Sequence, residues 1–226
     1  MAITPRKLRS QGPAEDIDLD HPFPTKSNLL DIENELSFYG SYHSTFGNKL
    51  IHFICIPLIS WSTLGLMSYL PLWRNVKIYD LFPGFSFYPS VALVVASAYQ
   101  LYYIALDPIA GISFIPPAAA IYLSATNTAL RPSANMPYSS YAHLTAQPLL
   151  WMVFFFGWIA QFIGHGYFER RAPALKDNLV QALVTAPFFV WLELLFALGY
   201  KPQLHKKVIS NAGLRIRNFR QAAKAK

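Results

Sequence analysis

The sequence predicts an all-α fold: a polytopic membrane helical bundle of about four transmembrane helices plus one bent or re-entrant apolar segment. Three observations point there. Hydrophobic residues make up 53% of the 226 residues and charged residues only 14%, where an average soluble domain is about 25% charged. Mean hydropathy is positive, at +0.26. The apolar residues also gather into runs separated by Pro, Gly and Asp, several of them close to the ~20 residues that a hydrocarbon core of ~30 Å requires.

Residues 1–28 carry Pro5, Pro13, Pro22 and Pro24 and no apolar periodicity or apolar signal region. They are expected to form a disordered cytosolic lead without a cleaved signal peptide, with His21 a solvated loop residue. Residues 29–200 form the membrane-embedded domain and residues 201–226 a basic cytosolic tail. In 29–46, Leu29, Ile32, Leu36, Tyr39 and His43 recur at helical spacing while Asp31, Glu33 and Glu35 lie among them. That pattern predicts an amphipathic helix resting at the membrane surface and delivering His43 to its edge.

The first span is 50–70, kinked at Pro57 and ended by Pro71. Trp73 and Tyr79 anchor a short polar link, 74–80, and 81–89, rich in Phe, Gly and Pro, reads as a loop. Spans two and three, 90–106 and 109–125, form a tight helical hairpin across Asp107-Pro108, the third interrupted by Pro116-Pro117. A polar loop, 127–144, holds Arg131 and His143. The fourth span, 148–163, runs into Gly164-His165. After a charged loop, 169–177, the apolar segment 179–200 is broken by Pro187 and carries Glu193. Four crossings with this last segment re-entrant leave both termini cytosolic, which satisfies the positive-inside tendency of the tail.

Charge is uneven within a net +7. Residues 201–226 contain eight Lys or Arg and no acid, whereas 1–36 contain seven acids against four bases. Beside a membrane span, a basic tail faces anionic lipid. Nucleic-acid binding is the weaker reading, since neither a stacking platform nor a recognition motif accompanies the charge, and no nucleic-acid partner is expected. The single cysteine, Cys55, rules out an intramolecular disulfide. Hydrolase, nucleotide-binding and thiol-redox motifs are absent.

Polar residues at membrane depth mark function. The stretch from Phe38 to His52 sets His43, Asn48 and His52 at the mouth of the first span, and Gln161, His165 and Glu169 close the fourth. The four-span topology brings these stretches to one side, where His43, His52 and His165 are candidate ligands of one metal and Glu169 a further candidate. His165 and Glu169, at i,i+4, share a helix face. His43 and His52 are nine residues apart, about 900° and roughly 13 Å on an unbroken helix, so they meet only if the helix breaks, and Gly47-Asn48 is the expected break. Nitrogen-rich ligation without thiolate suits iron, zinc or copper. The adjacent-histidine clusters of membrane di-iron desaturases are missing, which excludes that family. Asn48, Asp107, Gln161 and Glu193 are candidates to support the ligands, with a turn or capping role the competing account for Asp107. Two other readings stay open. The histidines are structural in a non-catalytic lipid-binding or scaffold protein, or two of them hold a haem.

The chain resembles the membrane-bound 2-hydroxy fatty acid dioxygenases, typified by the fungal enzyme of phytosphingosine breakdown. The matching pieces are Tyr42-His43, Asn48 and Ile51-His52 with Pro57; Tyr103, Asp107-Pro108 and Gly111; Gln161, Gly164-His165, Phe168-Glu169 and Pro173-Ala174-Leu175; and Ala186-Pro187-Phe188-Phe189 with Glu193. They cover about 35–200, in order. The resemblance implies an endoplasmic-reticulum membrane enzyme using Fe(2+) and dioxygen to shorten a 2-hydroxy fatty acid by one carbon. By carry-over His43, His52 and His165 are iron ligands or otherwise essential, with Glu169 a candidate. Arg170, Arg171 and Lys176 are placed to steer the substrate carboxylate. They serve equally as ordinary charges at the membrane surface.

Overall fold

The computed structural model describes residues 30–131, 146–170, 172–173 and 179–224. The expected lead 1–28, with His21, lies outside the described residues, as do His143, Arg171 and Lys176. Helix α1, Ile32–Tyr42, starts where Asp31 accepts a hydrogen bond from the Asn34 amide at 3.1 Å. It is shorter than the expected 29–46 because His43 leaves helical geometry at φ −129°, ψ 64°. Nor does it lie open on a surface: Glu35, Leu36, Tyr39 and Tyr42 are all buried. Glu35, expected on a polar face, instead accepts from Thr185 at 3.3 Å.

Helix α2, Phe46–Met67, is followed by a hairpin of β1, Tyr79–Phe82, and β2, Phe85–Phe87. This corrects the expected loop over 81–89. Tyr79 pairs with Phe87 and Asp80 with Ser86, and at the turn Gly84 takes φ 83°, which a glycine adopts without steric cost. The hairpin caps one end of the bundle, where Ser86 donates to Asn127 at 3.0 Å and Arg131 pairs with Asp80 at 3.1 Å.

Helix α3, Val91–Leu106, returns towards the opposite end, and α4, Pro108–Ser113, and α5, Ile115–Leu130, follow. Asp107 ends α3 and caps α4 through the Ala110 amide, with Pro108 at the first helical position. That is the tight junction expected of Asp107-Pro108. The two prolines Pro116-Pro117 fall at the start of α5, just past a break at Phe114, where absent amide protons cost least. Helix α6 is Gln147–Gly164, continued by a π turn over His165–Glu169; α7 is Leu179–Ala197 and α8 Pro202–Lys224.

Among the described residues, three helical runs are long and apolar enough to cross a bilayer: Phe46–Met67, Pro108–Leu130 and Gln147–Glu169. The expected second span, α3, is apolar but only 16 residues long, about 24 Å. Large apolar side chains, among them Phe53, Phe155, Phe156 and Ile159, are exposed on α2 and α6, a surface that suits lipid. Among the described helices, α2 packs most extensively against α6. A Cβ on Gly157 would meet Ile59 at 2.6 Å, and one on Gly164 would meet Asn48 Oδ1 at 2.7 Å. Small residues let these backbones approach, and that approach sets the distance between His52 and His165.

The core lies where α1, α3, α7 and α8 converge. Tyr103 stacks on Phe188 at 4.6 Å, and Leu36, Phe114, Leu192 and Phe196 surround them. The basic tail is not an appendage. As α8 it packs along α1, burying Val208 and Ala212, with Asn211 donating to Glu33 at 2.8 Å and Lys207 3.5 Å from the same carboxyl. Lys201 and Tyr200 bind Asp107 at 2.8 and 2.9 Å. The first and last helices therefore share one end of the bundle.

Candidate metal centre

Residues 43–45 form an elbow between α1 and α2. The break that lets His43 and His52 meet lies there, upstream of the expected Gly47-Asn48, which belong to the first turn of α2. The reason is Glu169. Its Oε1 accepts from the amides of Ser44 at 2.7 Å and Thr45 at 2.8 Å and from the Thr45 hydroxyl at 2.9 Å. Its Oε2 accepts from the Ser44 hydroxyl at 2.7 Å. A carboxylate at the amide-rich start of a helix is favourable both by charge and by hydrogen bonding.

Glu169, a further candidate beside the three histidines, is thus engaged with the elbow. His165 and Glu169 sit in a π turn and both face the elbow and the first turns of α2. His165 turns to the other histidines and Glu169 to the α2 N-terminus.

His43, His52 and His165 do come together. Their ring centroids are 4.3, 4.8 and 4.9 Å apart, one ligating atom of each lies within 4.8 Å of the others, and all three are buried. His43 Nδ1 faces the Tyr39 carbonyl at 2.8 Å and His52 Nδ1 the Asn48 carbonyl at 2.9 Å. A carbonyl only accepts, so each Nδ1 carries the proton and each Nε2 presents its lone pair. Burial, reinforced by the neighbouring His52 and His165, holds His43 well below the usual histidine range and keeps it neutral. Tyr39 stacks on the His43 ring at 4.0 Å.

A metal fits this set. His43 Nε2 is buried with no hydrogen-bond partner among the described residues, a condition costing about 1–3 kcal/mol that a bound cation relieves. Three nitrogens and no thiolate suit iron, zinc or copper.

The supporting candidates separate. Asn48 accepts from His52 and donates to the Tyr42 carbonyl and to Glu169, both at 3.3 Å, so it ties the elbow to the ligands. Gln161 lines a cavity of about 80 Å³ beside the three histidines, with Tyr39, Ser60 and Trp158. Glu193 pairs with Lys49 at 3.0 Å and lines a second cavity of about 270 Å³ that also touches His43 and His52. Asp107, only 1% exposed, is engaged by Lys201, Tyr200 and the α4 amide and does not border the histidines. His205 stacks on Phe196, away from the site. Lys49, Tyr39, Ser44 and Thr45 were not singled out from the sequence. The one available signal was that Tyr39 precedes His43 by a helical turn, as Lys49 precedes His52.

The family described as "2-hydroxy-palmitic acid dioxygenase Mpo1-like" matches residues 29–198, a stretch that contains every residue of the centre. The 2-hydroxy-palmitic acid dioxygenase MPO1 of Saccharomyces cerevisiae is 35% identical over 192 residues, covering 85% of this chain and 95% of the yeast protein. No solved structure matches the chain.

Proposed function

The chain belongs to the Mpo1-like family, and from that premise we propose that it is an Fe(2+)-dependent dioxygenase that shortens 2-hydroxy fatty acids by one carbon. The observation that carries the reading is the buried triad of His43, His52 and His165. Bound there, ferrous iron would supply the redox chemistry with dioxygen that side chains alone lack.

The protein's own contribution is electrostatic and steric. All three candidate donors are imidazoles, and the Glu169 carboxylate is engaged with the elbow. The cation's full charge is then left to attract an anionic 2-hydroxy carboxylate. The carbonyls of Tyr39 and Asn48 fix two ring orientations, and Tyr39 braces His43 by stacking. Ile56, Ile59 and Phe189 wall the adjoining cavities and limit water near the reacting atoms.

Placement at the end of the long helices suits an amphiphilic substrate, with its acid group at the polar edge and its acyl chain among apolar helices. The protein is read as a multi-pass component of the endoplasmic-reticulum membrane, acting in phytosphingosine and odd-chain fatty acid metabolism. Both termini are assigned to the cytosol, supported by the pairing of α1 with the basic α8 and the positive-inside tendency. Dioxygen and a 2-hydroxy fatty acid are its substrates and the bilayer its partner.

The test is iron content of the detergent-purified protein, wild type beside His165→Ala, with consumption of 2-hydroxypalmitic acid followed after anaerobic ferrous loading. Iron retained by wild type and lost from the variant, with oxygen-dependent turnover, is the expected result. Equal metal in both and no turnover would leave a structural role for the histidines.

A further inference from the structure

The larger cavity beside the histidines is a groove between α2 and α7. Its walls are apolar, with Phe46, Leu50 and Phe53 from α2 and Phe189, Val190 and Leu194 from α7. Phe46, Leu50 and Phe53 are also 81%, 47% and 45% exposed, so the groove opens onto the lipid-facing surface. One cation lines it, Lys49, a helical turn before His52. A charge beside a lipid-facing groove is costly unless it is paired or used. Lys49 is paired on one side only: its ammonium donates to Glu193 Oε2 at 3.0 Å, while its side chain stays 38% exposed. An ammonium has three donors, so two remain for a ligand in the groove. Arg170, the described member of the basic set expected to steer the carboxylate, lines neither cavity.

We propose that Lys49 is the carboxylate anchor of the site. Its ammonium takes the acid group of the 2-hydroxy fatty acid beside His43 and His52, and the acyl chain lies in the α2–α7 groove and leaves it towards lipid. Glu193 takes one of the three ammonium donors and competes with the acid group for the charge. This inference rests on the substrate class proposed above and adds to it the residue that distinguishes an acid from its neutral derivatives.

The experiment compares binding of radiolabelled 2-hydroxypalmitic acid and its methyl ester to the full chain in lipid nanodiscs. It is done under anaerobic conditions, with and without ferrous iron, so that no turnover intervenes. Wild type should prefer the acid. Lys49→Met should weaken acid binding by about tenfold or more, as expected for loss of a charged hydrogen bond, leave ester binding in place and so abolish the preference. Lys49→Arg should keep it. Glu193→Gln separates the anchor from a merely structural pair: an anchor without its competitor keeps or strengthens acid binding, whereas a structural pair fails alike from either side. In the iron-loaded enzyme with oxygen, Lys49→Met should raise KM more than it lowers kcat. If Lys49→Met keeps the wild-type acid preference, or Glu193→Gln copies its defect, the anchor is overturned and the substrate class stands. If wild type binds neither ligand and consumes no 2-hydroxy acid, the substrate reading falls and the anchor with it.

Discussion

Glu169 and Ser44 are 125 residues apart in the chain and meet through two hydrogen bonds of 2.7 Å, one from the Ser44 amide and one from its hydroxyl. With Thr45 and Asn48 on the same carboxylate, this contact closes the elbow that swings His43 back onto His52. Glu169→Ala removes the acceptor and strands two amides at the start of α2. The expected loss is about 1–3 kcal/mol of stability, with weaker metal retention although no ligand is touched. Glu169→Gln, which keeps one acceptor oxygen, should fall between. Thermal unfolding in detergent and metal analysis after dialysis check both. Turnover lost with metal content and melting temperature unchanged would instead put Glu169 at the reacting atoms.

If the three histidines hold one metal, as proposed, single changes should not be additive. His43→Ala, His52→Ala and His165→Ala are each expected to drop bound metal well below one per chain, and any double variant to look like the singles. Elemental analysis of proteins purified side by side reads this. A single variant that keeps full metal would remove that residue from the ligand set.

The triad was legible in the sequence because ionisable groups at the edge of long apolar runs stand out. The fold class was legible for the same reason, from run length and composition. What ties the triad together was not. The elbow at 43–45 depends on Glu169, a partner over a hundred residues away, and no local pattern encodes that pairing. The hairpin at 79–87 was hidden by Pro83-Gly84, which reads as a loop until its flanking aromatics are seen to pair. Lys49 and Glu193 lie on different helices, and only the packing of α7 on α2 makes them a pair.

Helix approach sets the spacing of His52 and His165, and Gly164 permits it. A methyl group there would meet Asn48 Oδ1 at 2.7 Å and Ile51 at 3.2 Å. Gly164→Ala therefore pushes α6 from α2 at the level of the ligands, at a cost of about 1–3 kcal/mol, and should weaken metal binding. Gly166, where an added Cβ meets nothing within 4 Å, is the control: Gly166→Ala should melt near wild type. Equal melting temperatures for the two variants would show that the close approach does not matter.

The last prediction concerns acid. His43 is buried and neutral, its pKa well below the ordinary value of 6.5, chiefly through burial and then through His52 and His165. In the unfolded chain the same imidazole protonates near that ordinary value. The unfolded state therefore binds the extra proton first as pH falls. The stability that a neutral His43 contributes is complete above about pH 6.5 and is lost progressively below it, down to its folded pKa, at up to about 1.4 kcal/mol per pH unit. Metal binding shifts the same way, because protons compete for the nitrogens. Metal-free wild type should thus show a falling melting temperature from pH 7 to pH 5, and His43→Gln, which has nothing to titrate there, a shallower fall. Parallel slopes for the two proteins would mean that His43 is charged in the folded state, and a charged imidazole could not bind a metal.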